Sequence, residues 1–242
     1  MSGDTFGDFT INGGKGFSIG GRNVIHNYDV EPEQDDKNTR AATETAAELM
    51  AERARNVFVV YGRDRQARDA VFRLLHFLGL RPLEWEKLVH ATAEASPFLG
   101  KVVADAPSLA QAAVVILTPD DEVRLHPELR NDPEDDFELR RMLQPRPNVL
   151  VELGMALAVY PQNTIILEFG RMRPFADISG RTVIRFDAGT APHIALKSIA
   201  GRLENAGCLV DDRGTDWLNE APFTALRSHT RGSAADSVDG RH

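Results

Sequence analysis

Five short apolar runs, separated by stretches with helical spacing, constrain this chain more than anything else in it. "NVFVVY" (Asn56–Tyr61) is continuous, as a strand buried on both faces requires. "LRPLEW" (Leu80–Trp85), "AAVVILT" (Ala112–Thr118), "TIILEF" (Thr164–Phe169) and "TVIRF" (Thr182–Phe186) follow it. Pro82 has no N–H to donate and marks the second run as an edge or strand-start position. After the first run, Ala67, Val71, Leu74, Leu75 and Leu78 recur at helical spacing, and Gly79 supplies a left-handed stop. A weak helical stretch ends near Ala112, apolar helix formers fill Arg146–Tyr160, and Ile194–Ala206 reads as a closing helix. Such alternation predicts an α/β fold with a central parallel sheet and helices on both faces, joined by right-handed crossovers. Ligands of these sheets bind beyond the carboxyl ends of the strands. A site is therefore expected among the loops Gly62–Asp64, Glu86–Val102, Pro119–Pro133 and Gly170–Ser179.

Composition changes mark off the remaining segments. Residues 1–36 are Gly/Asn-rich and break into short alternating pieces at Phe9–Ile11, Phe17–Ile19 and Asn23–Ile25, a β-prone pattern. They hold too little apolar mass to fold alone, so they either pair with something or form an arm. Small motifs of this kind resemble the amyloid-like signalling segments ahead of some bacterial effector domains, where strands stack in register with asparagine ladders. Residues 37–55 predict an alanine-rich connecting helix with Ala42, Ala46, Leu49, Met50 and Arg53 on one narrow face. Residues 56–210 form the α/β domain. Residues 211–242 are polar and expected to be largely disordered, without order after Leu226, with Trp217, Leu218 and Phe223 as a short surface anchor.

Charge and cysteine usage exclude several classes. With 36 acidic against 28 basic residues the net charge is −8, which argues against a nucleic-acid partner. The apolar stretches are too short to span a bilayer, and the opening residues do not read as a signal peptide. Cys208 is the single cysteine, so disulfides within the chain are impossible and a cytoplasmic setting is expected. Its neighbours Gly207 and Leu209 suggest a small buried residue. The seven histidines are scattered, and no metal site is expected.

One carboxylate stands out. Glu152 lies inside "RPNVLVELGMALAVY", and a buried charge costs several kcal/mol unless it is paired or hydrogen-bonded. Either it is a first-turn glutamate on a helix capped by Asn148, where the macrodipole favours negative charge, or it is a catalytic group in a desolvated cleft. Elsewhere, Gly62 permits close backbone approach, Arg63 can meet a phosphate, and Asp64 reads first as a helix N-cap. Trp85 packs at the core edge or stacks a planar ring. Asp120 and its neighbour Asp121 can accept hydrogen bonds from ligand hydroxyls, and the acidic run Asp132, Glu134, Asp135 and Asp136 reads as a solvated face. Arg146 and Asn148 are expected to shape the surroundings of Glu152.

Five segments in order, "VFVVYGRD" (Val57–Asp64), "LGLRPL" (Leu78–Leu83), "VVILTPDDE" (Val114–Glu122), "RPNVLVELG" (Arg146–Gly154) and "DISGRTVIRFD" (Asp177–Asp187), resemble the Toll/interleukin-1 receptor (TIR) family. The likeness is to its bacterial branch of predicted nucleotide-binding TIR-like proteins of antiphage defence. The resemblance implies a flavodoxin-like TIR fold and hydrolysis of NAD⁺ to nicotinamide and ADP-ribose or a cyclic variant. NAD⁺ is then substrate, and no cofactor is needed. The motif matching the family's catalytic glutamate contains Glu152. Self-association through the TIR domain, and through the N-terminal segment, is the expected gate on activity. Tyr61 stands where the family's first motif commonly has histidine, and "ASPFLGKVV" (Ala95–Val103) replaces a common Gly-Arg-Thr stretch in a loop that is able to act as a lid. Two further readings stand beside this one: a non-catalytic TIR adaptor or scaffold, and a nucleoside deoxyribosyltransferase-like enzyme.

Overall fold

The computed structural model describes residues 32–84, 106–133, 135–175, 178, 180–187 and 191–235. The chain divides into two units, Met1–Glu44 and Thr45–His242. In chain order the elements are α1 (Pro32–Arg55), β1 (Asn56–Tyr61), α2 (Arg65–Phe77), β2 (Arg81–Glu84), β3 (Ala112–Leu117) and β4 (Asp121–Val123). Then come α3 (Asp136–Leu139), β5 (Met142–Gln144), α4 (Pro147–Val159), β6 (Thr164–Phe169), β7 (Ile184–Phe186), α5 (Pro192–Asn205), α6 (Ala221–Thr224) and α7 (Ser228–Ala235). The main sheet has the order β2-β1-β3-β6-β7. All four neighbouring pairs are parallel.

This is the α/β architecture that the apolar runs predict, and the alternation along β1 shows how it is built. Val57 and Val59 face the core shared with Ala67, Val71 and Leu74 of α2 and with Leu196, Ile199 and Leu203 of α5. Phe58 and Val60 face the opposite core, with Val149, Leu153 and Ala156 of α4. Each face is thus covered, and the central strand β3 is buried at all six positions. At the amino edge of the sheet, the Tyr160 hydroxyl donates to the carbonyls of Ala106 at 2.7 Å and Ala110 at 3.2 Å. That contact fixes the end of α4 beside the start of β3. The beginning of α4 is therefore at the carboxyl edge, where ligands of such folds bind.

Several boundaries differ from the sequence expectation. The second strand is Arg81–Glu84 and the fifth Ile184–Phe186, shorter than the apolar runs that contain them. Strand β2 does lie at an edge, as Pro82 predicts. Helix α1 starts at Pro32, so residues 32–36 are helical rather than β-prone, while the Phe9–Ile25 pieces lie outside the described residues. The expected face of α1 is not fully packed: Leu49 and Met50 are 62% and 70% exposed. The helix is held instead by its last turns, where Arg53 donates to Ala110 O at 3.4 Å and Leu209 N–H to Ala54 O at 2.8 Å. A two-stranded antiparallel ribbon, β4 with β5, occupies the Pro119–Pro133 region and its continuation, which the sequence marks as loop.

The C-terminal residues depart most from expectation. Phe223 is 2% exposed and stacks on Phe186 at 5.1 Å between centroids, and Phe186 stacks on Phe169 at 4.5 Å. Leu226 is buried beside them, and helix α7 continues past it to Ala235. A polar composition alone suggests disorder here. Two large apolar side chains seated in the sheet's core are enough to carry the backbone back onto the domain.

Candidate functional site

The loop after β1 is built around one carboxylate. Asp64 has an extended backbone and accepts from the N–H groups of Gln66 and Ala67 at 3.0 and 3.1 Å, capping α2 as its position predicts. Its side chain is only 2% exposed. Next to it, Arg63 N–H donates to Oδ2 of Asp120 at 2.7 Å. The Asp120 backbone N–H is in turn shared between the carbonyls of Thr118 and Gln144, at 2.9 and 3.1 Å. So the loop after β3 is tied both to the loop after β1 and to the β4–β5 ribbon. Gly62 is required by this geometry: a β-carbon there would stand 2.0 Å from Asp120 Oδ2.

The network contains one residue far away in sequence. Arg231 of α7 lies 3.1 Å from Asp64 Oδ2 and 3.7 Å from Asp120 Oδ1. Two carboxylates, 2% and 3% exposed, therefore share a guanidinium that is itself 38% exposed. Two buried like charges require such a partner. The expected residues Gly62, Arg63, Asp64 and Asp120 are brought together, and Arg231 completes the group. It escaped notice in the sequence because a lone arginine in a polar tail carries no signal. Of the two aspartates after β3, Asp121 begins β4.

Helix α4 carries the other expected site residues, Arg146, Asn148 and Glu152. Its N-cap is Arg146 and its first residue Pro147, so Asn148 lies inside the helix and is not the cap. Pro147 explains the shift, because its fixed φ and absent N–H suit the first helical position. Glu152 is accordingly in the second turn, roughly 8 Å along the axis from Pro147. The first-turn reading of this glutamate does not hold, and the favourable end of the macrodipole weakens over that distance. Glu152 is half-buried, between exposed Val151 and buried Leu153. Arg146 is half-buried and Asn148 exposed at the start of this helix. Trp85 and the Glu86–Val102 loop lie outside the described residues.

Other charged and aromatic groups have mainly structural partners. Tyr61 packs edge-on against Phe72 at 6.0 Å, with the Arg68 guanidinium 5.4 Å above its ring, so it belongs to the α2 side of the sheet. In the acidic run, Asp136 pairs with Arg140 at 3.1 Å in an exposed bridge, consistent with a solvated face. Glu168 on β6 was hidden inside an apolar run. Burial pushes its carboxyl up, and Arg185 of β7 at 3.4 Å pulls it partly back. Among the described residues, no three His, Cys, Asp or Glu side chains are grouped to hold a metal ion. No helix among them is long and apolar enough to cross a membrane.

Chemically, the edge offers an exposed arginine side chain at Arg63, a shape-restricted glycine turn, a fixed pair of aspartates and a carboxylate on an apolar helix. A family model described as "CAP12/Pycsar effector protein, TIR domain" matches residues 56–188. No curated protein matches the chain.

Proposed function

The chain belongs to the CAP12/Pycsar effector TIR-domain family, and on that footing we propose that it is an NAD⁺ nucleosidase with Glu152 as its catalytic carboxylate. The supporting observation is the position of Glu152. It is half-buried on an otherwise apolar helix that begins at the carboxyl edge of the sheet. An acidic group there suits the reaction. Cleavage breaks the bond between the ribose C1′ and the nicotinamide nitrogen, and the ring leaves with the bonding electron pair as neutral nicotinamide. No general acid is required, because the leaving group is already cationic. Positive charge gathers on the ribose in the transition state, and an ionised carboxylate nearby stabilises it or attacks C1′. Water then supplies the oxygen at C1′ and releases a proton, giving ADP-ribose; an internal nucleophile gives a cyclic product.

In this reading Arg63, whose side chain is exposed, meets the diphosphate, and Arg146 and Asn148 border the ribose. Asp64 acts through its cap, holding the loop. Assembly of several copies gates the activity, through the TIR domain and the N-terminal segment. The test is nicotinamide release from NAD⁺ by the purified full chain, dilute and concentrated, beside Glu152→Gln. Turnover that climbs with protein concentration and is lost in the variant supports the proposal. An inactive wild-type chain at every concentration overturns it in favour of a scaffold.

A further inference from the structure

The family match ends at residue 188, yet the polar network at the carboxyl edge is completed by a side chain well beyond it. We propose that Arg231 is a positioning residue for the ligand site: it clamps the Gly62–Asp64 loop against the loop after β3 and so sets the shape in which Arg63 is presented. The inference rests on the NAD⁺ reading above for the identity of the ligand, a dinucleotide diphosphate.

Three observations carry it. First, Arg231 touches both loops at once, with one guanidinium nitrogen 3.1 Å from Asp64 Oδ2 and the other 3.7 Å from Asp120 Oδ1. Second, the contacts with Arg231 are ion pairs rather than hydrogen bonds, while the other oxygen of each aspartate joins its loop to the scaffold. Asp64 Oδ1 caps α2, and Asp120 Oδ2 accepts from Arg63 N–H. Without Arg231, two carboxylates that are almost fully buried would face each other's loop with no cation between them. Losing the shared cation disfavours keeping both carboxylates charged and buried, so the contacts between the loops, the Arg63 N–H bond to Asp120 among them, are expected to loosen. Third, α7 is held in place independently of the clamp. A β-carbon on Gly170, which has φ +77°, would come within 2.2 Å of the Ser228 carbonyl, so the start of α7 lies tight on the turn after β6. Ser228 is fully buried, and Phe223 and Leu226 anchor the chain just before it. The guanidinium is thus delivered from a rigid base, as a positioning group should be.

The ion-pair partners of Arg231 are Asp64 and Asp120, so the proposed effect on a ligand passes through the loop that carries Arg63. Loss of the clamp should therefore weaken ligand capture more than the chemical step.

The experiment uses the full chain with Arg231→Ala, Arg231→Lys and, as a stability control in the core of α5, Ile199→Val. Amide hydrogen exchange is measured across residues 60–67 and 116–123, together with KM and kcat for NAD⁺. The expected result is faster exchange of the Arg63 amide by tenfold or more in Arg231→Ala, with the β3 core unchanged. KM should rise at least fivefold and kcat stay within about twofold, Arg231→Lys should recover part of the lost KM and exchange protection, and Ile199→Val should move neither. Unchanged exchange at Arg63, or a KM equal to wild type despite a loosened loop, overturns the inference. So does equal loosening throughout the sheet, which marks a merely structural arginine. If the wild-type chain turns over no NAD⁺, the functional reading fails, and the exchange data alone decide whether Arg231 clamps the loops.

Discussion

The α-carbon of Gly62 faces the Asp120 carboxylate so closely that a β-carbon on it would lie 2.0 Å from Oδ2 and 3.1 Å from Cγ. The space for that methyl is taken by an acceptor already bonded to Arg63 N–H. Gly62→Ala must therefore push Asp120 aside. The expected cost is about 1–3 kcal/mol, from overpacking and a disturbed hydrogen bond. For a chain of this size that lowers Tm by several degrees. A melt indistinguishable from wild type would show that the Asp120 side chain rotates away without loss.

Glu152→Gln keeps the volume of the side chain and removes its charge. If Glu152 stabilises a ribosyl cation, NAD⁺ cleavage should fall by at least about 100-fold, the scale at which single electrostatic groups act. Because Glu152 is only half-buried, Tm should shift by no more than a few degrees. A variant that retains most of the wild-type rate would move the catalytic role elsewhere, and Glu168 would be the next carboxylate to replace.

Cys208 gives a pH-dependent prediction whose sign can be worked out. Burial pushes its thiol up from 9.0 to about 12, whereas the unfolded chain titrates near the ordinary value. Between those limits the unfolded state holds fewer protons than the folded one, so stability falls as pH rises and is unaffected below pH 9. Denaturant titrations of wild type and Cys208→Ala should show their difference constant from pH 7 to about 8.5. Above that it should move against wild type by at most about 1.4 kcal/mol per pH unit. At pH 8 a thiol reagent should label Cys208 in the unfolded chain and scarcely at all in the folded one.

The aromatic stack predicts how much of the chain the domain needs. Phe223→Ala removes a ring packed on Phe186 and Phe169 and should cost about 3–5 kcal/mol. A chain stopped after Val210, the boundary suggested by composition, loses that ring, Leu226 and the Arg231 clamp together. It should be insoluble or melt more than about 10 °C below the full chain. Equal melting temperatures would mean that the C-terminal residues ride on a domain complete without them.

What was legible in the sequence follows from how much each feature depends on its neighbours in the chain. β1, β3 and β6 and the helix α2 are visible because a strand covered on both faces needs a continuous apolar run and a one-sided helix needs its stripe. Asp64 is a cap for reasons contained within four residues. The β4–β5 ribbon was not legible, since three-residue strands are too short to show a period. Asn148 misled because it is a favoured cap residue, while Pro147 just before it took the first helical position. Phe223 was legible as an anchor, but its depth in the core, the helix beyond Leu226 and the place of Arg231 depend on contacts made across the fold, and the local polarity of the C-terminal residues pointed the other way. Glu152 could be singled out from the sequence because a lone charge in an apolar helix is conspicuous. Its second-turn position could not.

The rims of the sheet have a consequence for how copies can meet. β2 offers four residues, one of them a proline without an N–H, and β7 only three. Rims this short present few free backbone donors and acceptors to a second molecule. Two copies have little to gain by zipping their main sheets edge to edge. On the described rims alone, a filament or ring of this domain is expected to depend more on side-chain surfaces of helices and turns than on β2 and β7.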